Sequence, residues 1–364
     1  MRINVYTILR MIGVTALVLG ALAVTVSRLV PEADASIEAR HARPGWVGCS
    51  AMPGGRPSGK ALLIDPEKEQ IQVVRLPRGE SLDQATGSPW INDAGHGEVV
   101  GRWVKVERDI WTGTKTIEDG LARFSLPDGK PLDRIATTLM PASPPSWSPD
   151  GRRLVIYPSG DGRLYRVEFP PQSELTSTID PDTKPAEPTA LTWACVRPGD
   201  GSARILDASW PTDPELKGLV LASVLKQETI GGKVVNRPPQ LWWLKLDTDA
   251  RAIVAAGPLT GRNPGLAERF PRLVRDPSDG LQVAYLITAE LIESARLSVA
   301  PLRFDPGQAG PLLDEGQART LARDCLLDAP VPTTDGRSIS IIQRGRAGQA
   351  GPPCLVTLNT TRSK

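Results

Sequence analysis

The residues that could do chemistry in this chain are few, and their spacing organises little of it. There are only two histidines. His41 and His96 each stand without a second histidine or a dense carboxylate cluster in reach, so neither completes a metal site, and both read as solvated loop residues. Asp180 and Asp182 in IDPDTK offer the hard oxygen ligands that calcium prefers. The glycine and the distal glutamate of an EF-hand loop are missing, so they read as loop carboxylates. No G-x-S-x-G elbow and no H-E-x-x-H occurs, and no cofactor or metal is implied.

One carboxylate set recurs. Asp93, Asp150 and Asp213 each follow a tryptophan by three residues, Trp90, Trp147 and Trp210, at steps of about 60 residues. The phase continues without tryptophan at Leu273 with Asp276 and at Pro332 with Asp335. Acids in register around an axis could act as the acid and base of a glycosidase. Each also suits the tight turn that ends an inner strand, and repetition of that kind argues for structure.

The elements around these positions show the period. In PSWSPDGRRLVIYPSGDGRLYRVEF, residues 145–169, two Asp-Gly turns separate an apolar run, Leu154 to Tyr157, from an alternating one, Leu164 to Phe169. The turns suit Gly at positive φ and Asp bonding its own backbone, and the runs read as strands. The second run has counterparts beginning at Leu121, Leu241, Leu297 and Leu355, and an abbreviated first unit begins at Trp46 with Ala61 to Ile64. A three- or four-stranded unit cannot cover both of its faces alone, so copies must pack on one another.

The stretch at 145–169 resembles the WD40-like (PD40) repeat of the TolB type: Pro-x-Trp-Ser-Pro-Asp-Gly, an apolar strand, then a Leu-Tyr strand. The match is close there and weaker in register over about 45–360. The resemblance implies an all-β fold, a single β-propeller over 36–364, and no particular activity. Six blades are expected, with five or seven as alternatives. The TolB type carries a further domain ahead of its propeller, for which this chain leaves no room. The last unit lacks an outer strand, which residues 36–43, SIEARHAR, would supply from the N-terminal side; a three-stranded final blade is the alternative.

Residues 1–35 form a separate segment. Arg2 and Arg10 precede an uncharged, largely apolar run from Met11 to Val26, and Arg28 follows. This is an export signal, either retained as a single-span anchor or cleaved near Ala33-Asp34-Ala35. The expected location is the cytoplasmic membrane with the propeller on the outer side, or secretion if the signal is removed. In that oxidising setting Cys49 and Cys354, from the first and last units, could pair and tie the termini together. The other reading leaves them, with Cys195 and Cys325, as thiols packed like small hydrophobes. No C-x-x-C occurs, so zinc and redox motifs find no support.

Net charge is +2 with both signs interspersed, which argues against nucleic acid as a partner. Thirty-four Gly and 35 Pro fall between the strand runs, as turns do. Numbering the strands of a blade from the axis outward, inserts at 106–119 and 226–239 join second to third strands, and 170–190 belongs to a connection between units. All three are expected on one rim. They nominate Trp111, Lys115, Lys226, Lys233 and Arg237 as contacts to an envelope protein or peptide. The sequence therefore favours a non-catalytic, membrane-tethered binding propeller, with a glycan- or peptide-directed hydrolase or lyase using channel carboxylates as its rival.

Overall fold

The computed structural model describes residues 46–51, 60–77, 79–88, 97–108, 115–150, 154–169, 187–195, 203–261, 265–276, 280–289, 295–322, 326–327, 329–333, 335–344 and 354–360. The export segment at 1–35, the segment 36–43, both histidines, Trp90, Asp93 and Trp111 lie outside them. Among the described residues no helix is long and apolar enough to cross a membrane.

Strand β1 spans Trp46–Ala51, and β2 (Lys60–Asp65) pairs with β3 (Gln70–Arg75) as a hairpin. Blade 1 follows, with β4 (Glu80–Gly87), β5 (Gly97–Arg108), β6 (Lys115–Leu126) and β7 (Pro131–Ala136) in that spatial order. Blade 2 is β8 (Ser146–Trp147), β9 (Leu154–Pro158), β10 (Leu164–Glu168) and β11 (Thr189–Ala190). Blade 3 contains β12 (Thr192–Trp193), β13 (Arg204–Ser209), β14 (Leu219–Leu225), β15 (Gln227–Ile230), β16 (Lys233–Asn236), β17 (Gln240–Leu246) and β18 (Ala252–Pro258). Its order is β13-β14-β17-β18, with β12 added in parallel to β18 and β15–β16 forming a hairpin of their own. Blade 4 is β19 (Leu266–Asp276), β20 (Gly280–Ala289), β21 (Arg296–Arg303), β22 (Leu312–Leu313) and β23 (Arg319–Ala322), the last two both pairing with β21. Blade 5 comprises β24 (Leu326–Leu327), β25 (Val331–Pro332), β26 (Ser338–Arg344) and β27 (Cys354–Asn359).

The apolar runs form strands that are covered on both sides, which is why they read as continuous rather than alternating. In β9 every residue is buried. Val155 and Tyr157 turn toward blade 1, packing with Val100 and Leu121, while Leu154 and Ile156 turn toward blade 3, packing with Trp210 and Val220. Trp242 and Trp243 divide in the same way: Trp242 joins the core between blades 2 and 3, and Trp243 joins Leu281, Val283 and Tyr285 between blades 3 and 4. A fourth core joins Val274 and Leu286 of blade 4 to Ile339 and Val356 of blade 5. Each fully buried Leu, Ile, Val or Phe contributes about 1.5–3 kcal/mol, so stability is distributed over the seams between blades.

Among the described residues the blades number five, not six. The expected first unit divides: the β2–β3 hairpin lays Ala61, Leu63 and Val74 against Val99 and Phe124 of blade 1, and β1 goes elsewhere. It pairs antiparallel with β27 as the outer strand of blade 5, from Trp46 opposite Leu358 to Ala51 opposite Cys354. Closure is thus an overlap of the two ends of the fold, made by 46–51; the expected segment 36–43 lies outside the described residues. Cys49 faces Val356 in this register, so Cys49 and Cys354 sit diagonally on neighbouring strands. Their side chains are not among those described.

Candidate functional site

Two of the three enlarged connections emerge on one rim: 226–239 folds as a hairpin, and of 106–119 the described ends, 106–108 and 115–119, are strand. In blade 1 the β5–β6 ladder runs out to Arg108 opposite Lys115. In blade 3 the insert folds as β15–β16, turning on Gly231 and Gly232, both at positive φ (58° and 78°), the backbone of a two-residue hairpin turn. The third connection lies elsewhere. Residues 169–188 join β10 to β11, the third and fourth strands of blade 2, and so leave from the opposite rim. The expectation of three inserts on one face is corrected to two.

The β15–β16 ribbon keeps β-branched side chains in solvent: Ile230 is 50%, Val234 66% and Val235 37% exposed. Its register places Glu228, Ile230, Lys233 and Val235 on one side. Arg237 ion-pairs with Glu228 at 2.8 Å, Gln227 donates to Asn236 at 2.9 Å, and the Lys226 ammonium lies 4.4 Å from the Trp242 ring centroid. Lys233 is exposed. Lys115 opens β6, with its side chain outside the described ones.

The repeat positions act at the seams. Trp147 is 4% exposed and donates its indole N–H to the Thr86 carbonyl of the preceding blade at 3.4 Å. Trp210, 7% exposed, donates its backbone N–H to Ser146 Oγ at 2.8 Å. Asp150 accepts from Ser148 Oγ, and Asp213 accepts from the Glu215 N–H at 2.9 Å while pairing with Arg275 of blade 4.

The innermost strands share an irregularity. Bulges interrupt β4 between Asp83 and Thr86, β13 between Ile205 and Asp207, and β19 between Arg269 and Arg272. Gln84 and Phe270, inside two of them, take φ of 50° and 52°, a region sparsely used outside glycine. Bulges re-aim side chains. Here Arg269 reaches Asp207 of blade 3 at 2.5 Å, while Arg272 donates to the Pro271 carbonyl at 2.9 Å. Burial pushes the Arg272 guanidinium down in pKa against the opposing pull of Asp207.

Polar groups also gather where blade 3 meets blade 4. Glu268 is 2% exposed; it accepts the Thr260 hydroxyl at 2.5 Å and the Leu241 N–H at 3.1 Å. Burial raises its pKa, the two hydrogen bonds pull it down, and Glu315 adds to the upward push. Burial also raises the Tyr285 phenol, aided by Glu268 and Glu315 and opposed by Arg296. Beside them opens a cavity of about 230 Å³ lined by Tyr285, Arg296, Ser298, Glu315, Arg319 and Thr320, among others. None of its polar residues was singled out from the sequence. The available signal was Arg296 and Ser298 two apart at the start of a strand that is apolar from Val299 to Leu302.

Cys195 is a half-buried free thiol against the core between blades 2 and 3, its pKa raised by burial. Among the described residues no group of three or more His, Cys, Asp or Glu is placed to hold a metal.

No family model matches the chain, and no curated protein matches it. Solved structures resemble it distantly. The endo-arabinase of Bacteroides thetaiotaomicron VPI-5482 is 10% identical over 85% of this chain and 96% of its own, with a TM-score of 0.41. The β-propeller domain of Myceliophteria thermophila Cps50 (Swd1) is 11% identical over 87% and 90%, TM-score 0.37. The periplasmic gluconolactonase PpgL of Pseudomonas aeruginosa is 16% identical over 79% and 76%, TM-score 0.35. These neighbours include enzymes and propeller domains without distinction, so the fold reading here stands on the sheet topology.

Proposed function

We propose that this chain is a non-catalytic binding propeller, held at the outer side of the cytoplasmic membrane by its N-terminal apolar segment, that docks an extended segment of an envelope protein through the β15–β16 ribbon. The supporting observation is the ribbon itself. Its two strands pair only with each other among the described residues, which leaves both edges open to a further strand. Its exposed Ile230, Val234 and Val235 offer alternating apolar contacts, and the Glu228–Arg237 pair and Lys233 give a polar border. Nothing in the core depends on the ribbon: β14 and β17 pair directly beneath it, from Leu219 opposite Lys245 to Val224 opposite Gln240.

The test is site-specific photocrosslinking from position 234 in intact cells. A discrete adduct, lost when residues 227–236 are replaced by a two-glycine turn in a variant that keeps the wild-type melting temperature, supports the reading. Absence of any adduct from positions 230, 234 and 235 refutes it. The rival is a hydrolase or lyase acting on a glycan or peptide through channel carboxylates, and turnover of such a substrate by the purified protein would favour it.

A further inference from the structure

The core between blades 3 and 4 changes character halfway along its height. Leu281, Val283, Ala300 and Leu302 fill one half with hydrocarbon. Two residues further along the same strand faces, the pattern turns polar. Tyr285 stands opposite Ser298 across β20 and β21, and Ser298 stands opposite Thr320 across β21 and β23. Three hydroxyl side chains thus form a row across three adjacent strands. Arg296, paired with Ile287, is two residues from Ser298 on the same face. All four line the 230 Å³ cavity.

Tyr285 is 2% and Ser298 3% exposed, and both line the cavity without a side-chain hydrogen bond among the described residues. The Arg296 Nε is buried with no acceptor, and its guanidinium has no ion pair among the described residues. Glu315, the carboxylate at the cavity, is engaged by the Gly261 N–H and makes no ion pair with Arg296. Buried polar groups are nearly always paired, so the buried Arg296 Nε is the atom of this row that lacks its acceptor. Water can satisfy the hydroxyls but brings no charge to the arginine.

We infer that this cavity is a binding site for a small hydroxylated monocarboxylate, its carboxylate seated on Arg296 and the Tyr285 hydroxyl and its own hydroxyls on Ser298, Thr320 and Glu315. The guanidinium fork matches a planar carboxylate with two parallel N–H donors, and the protonated phenol adds a third. Glu315 on the wall, with Glu268 acting on Tyr285 from behind, disfavours a doubly charged anion such as phosphate and supplies an acceptor for a ligand hydroxyl. At roughly 30 Å³ per water the volume equals about seven or eight waters, which suits an acid of about four to six carbons.

The experiment is calorimetric titration of the full chain in mild detergent with D-gluconate, and in parallel with sorbitol, hexanoate and inorganic phosphate. Gluconate is expected to bind at least about tenfold tighter than each of the other three, because each lacks the charge, the hydroxyls or the single negative charge. Arg296→Gln should weaken gluconate by about tenfold or more, with Arg296→Lys between it and wild type, and Tyr285→Phe by about three- to tenfold, all with unchanged melting temperature. Should Arg296→Gln not fold, Tyr285→Phe, which removes one oxygen, decides the matter. The inference is overturned if gluconate gives no binding up to about 10 mM, if sorbitol, hexanoate or phosphate binds as well as gluconate, or if these variants leave gluconate affinity unchanged.

Discussion

Replacing Arg123 by methionine examines the most deeply buried charge in the described fold. Arg123 sits in β6 with its side chain 0% exposed, 2.9 Å from Glu98, also 0% exposed, and 2.5 Å from Asp133, 10% exposed. Its guanidinium carbon lies 4.8 Å from the ring centroid of Phe169 in blade 2. Methionine keeps most of the stem volume but withdraws the cation from two carboxylates in a low-dielectric seam. Breaking a buried pair in this way costs about 3–5 kcal/mol, because a charge is left without its counter-charge. With a urea m-value of about 3 kcal/mol/M, the unfolding midpoint should fall by roughly 1–1.7 M with no change in slope. The triple variant Arg123→Met, Glu98→Gln, Asp133→Asn removes all three charges and should recover most of that loss. Two results would refute the reasoning: a loss under about 1 kcal/mol for the single variant, or a triple variant as unstable as the single, which would assign the role of Arg123 to packing against Phe169.

Other consequences are equally direct. Glu268 has a folded pKa raised by burial, so folding favours its protonated form; the stability this brings is present at low pH and is lost as pH rises from the ordinary carboxylate range, about 4.3, through the raised folded value. Glu268→Gln should therefore flatten the melting temperature against pH within that window and match or exceed wild type at neutral pH. Gly162→Ala should destabilise by about 1–3 kcal/mol, because φ there is +82° and a methyl would come within 2.6 Å of Arg204 Cβ at the seam between blades 2 and 3; thermal melts check it. Deleting residues 46–51 should leave β27 with an unpaired edge, lower the melting temperature and produce concentration-dependent oligomers in light scattering.

The sequence made the architecture legible wherever a strand was covered on both sides. Leu154 to Tyr157 reads as buried because it is, and the Asp-Gly turns fix the hairpin that follows. Blade number was less legible, because Trp46 carries the repeat's marker residue but pairs with the far end of the chain, and local pattern contains no information about that distance. The insert at 226–239 reads as a loop because its residues do not alternate apolar with polar against a core; the β15–β16 ribbon is exposed from Thr229 to Asn236. The cavity residues were hidden for a different reason. Tyr285 and Ser298 occupy ordinary strand positions, and only the register across β20, β21 and β23 makes a row of them. Arg123 was invisible in the same way, since its partners Glu98 and Asp133 lie on the two neighbouring strands.

The overlap that closes blade 5 also sets an order of events during biogenesis. β1 is synthesised about 300 residues ahead of its partner β27. Joining distant ends costs little in chain entropy, about 0.6 kcal/mol for each doubling of length, so the finished fold is not burdened by it. Its kinetics are another matter, because contacts so remote in sequence form late and slowly. During synthesis, β1 must wait as an unpaired strand while blades 1 to 4 assemble from neighbours. That interval is when such a chain exposes edges to misassembly, and a chaperone that shields β1 would act on yield without touching the stability of the closed propeller.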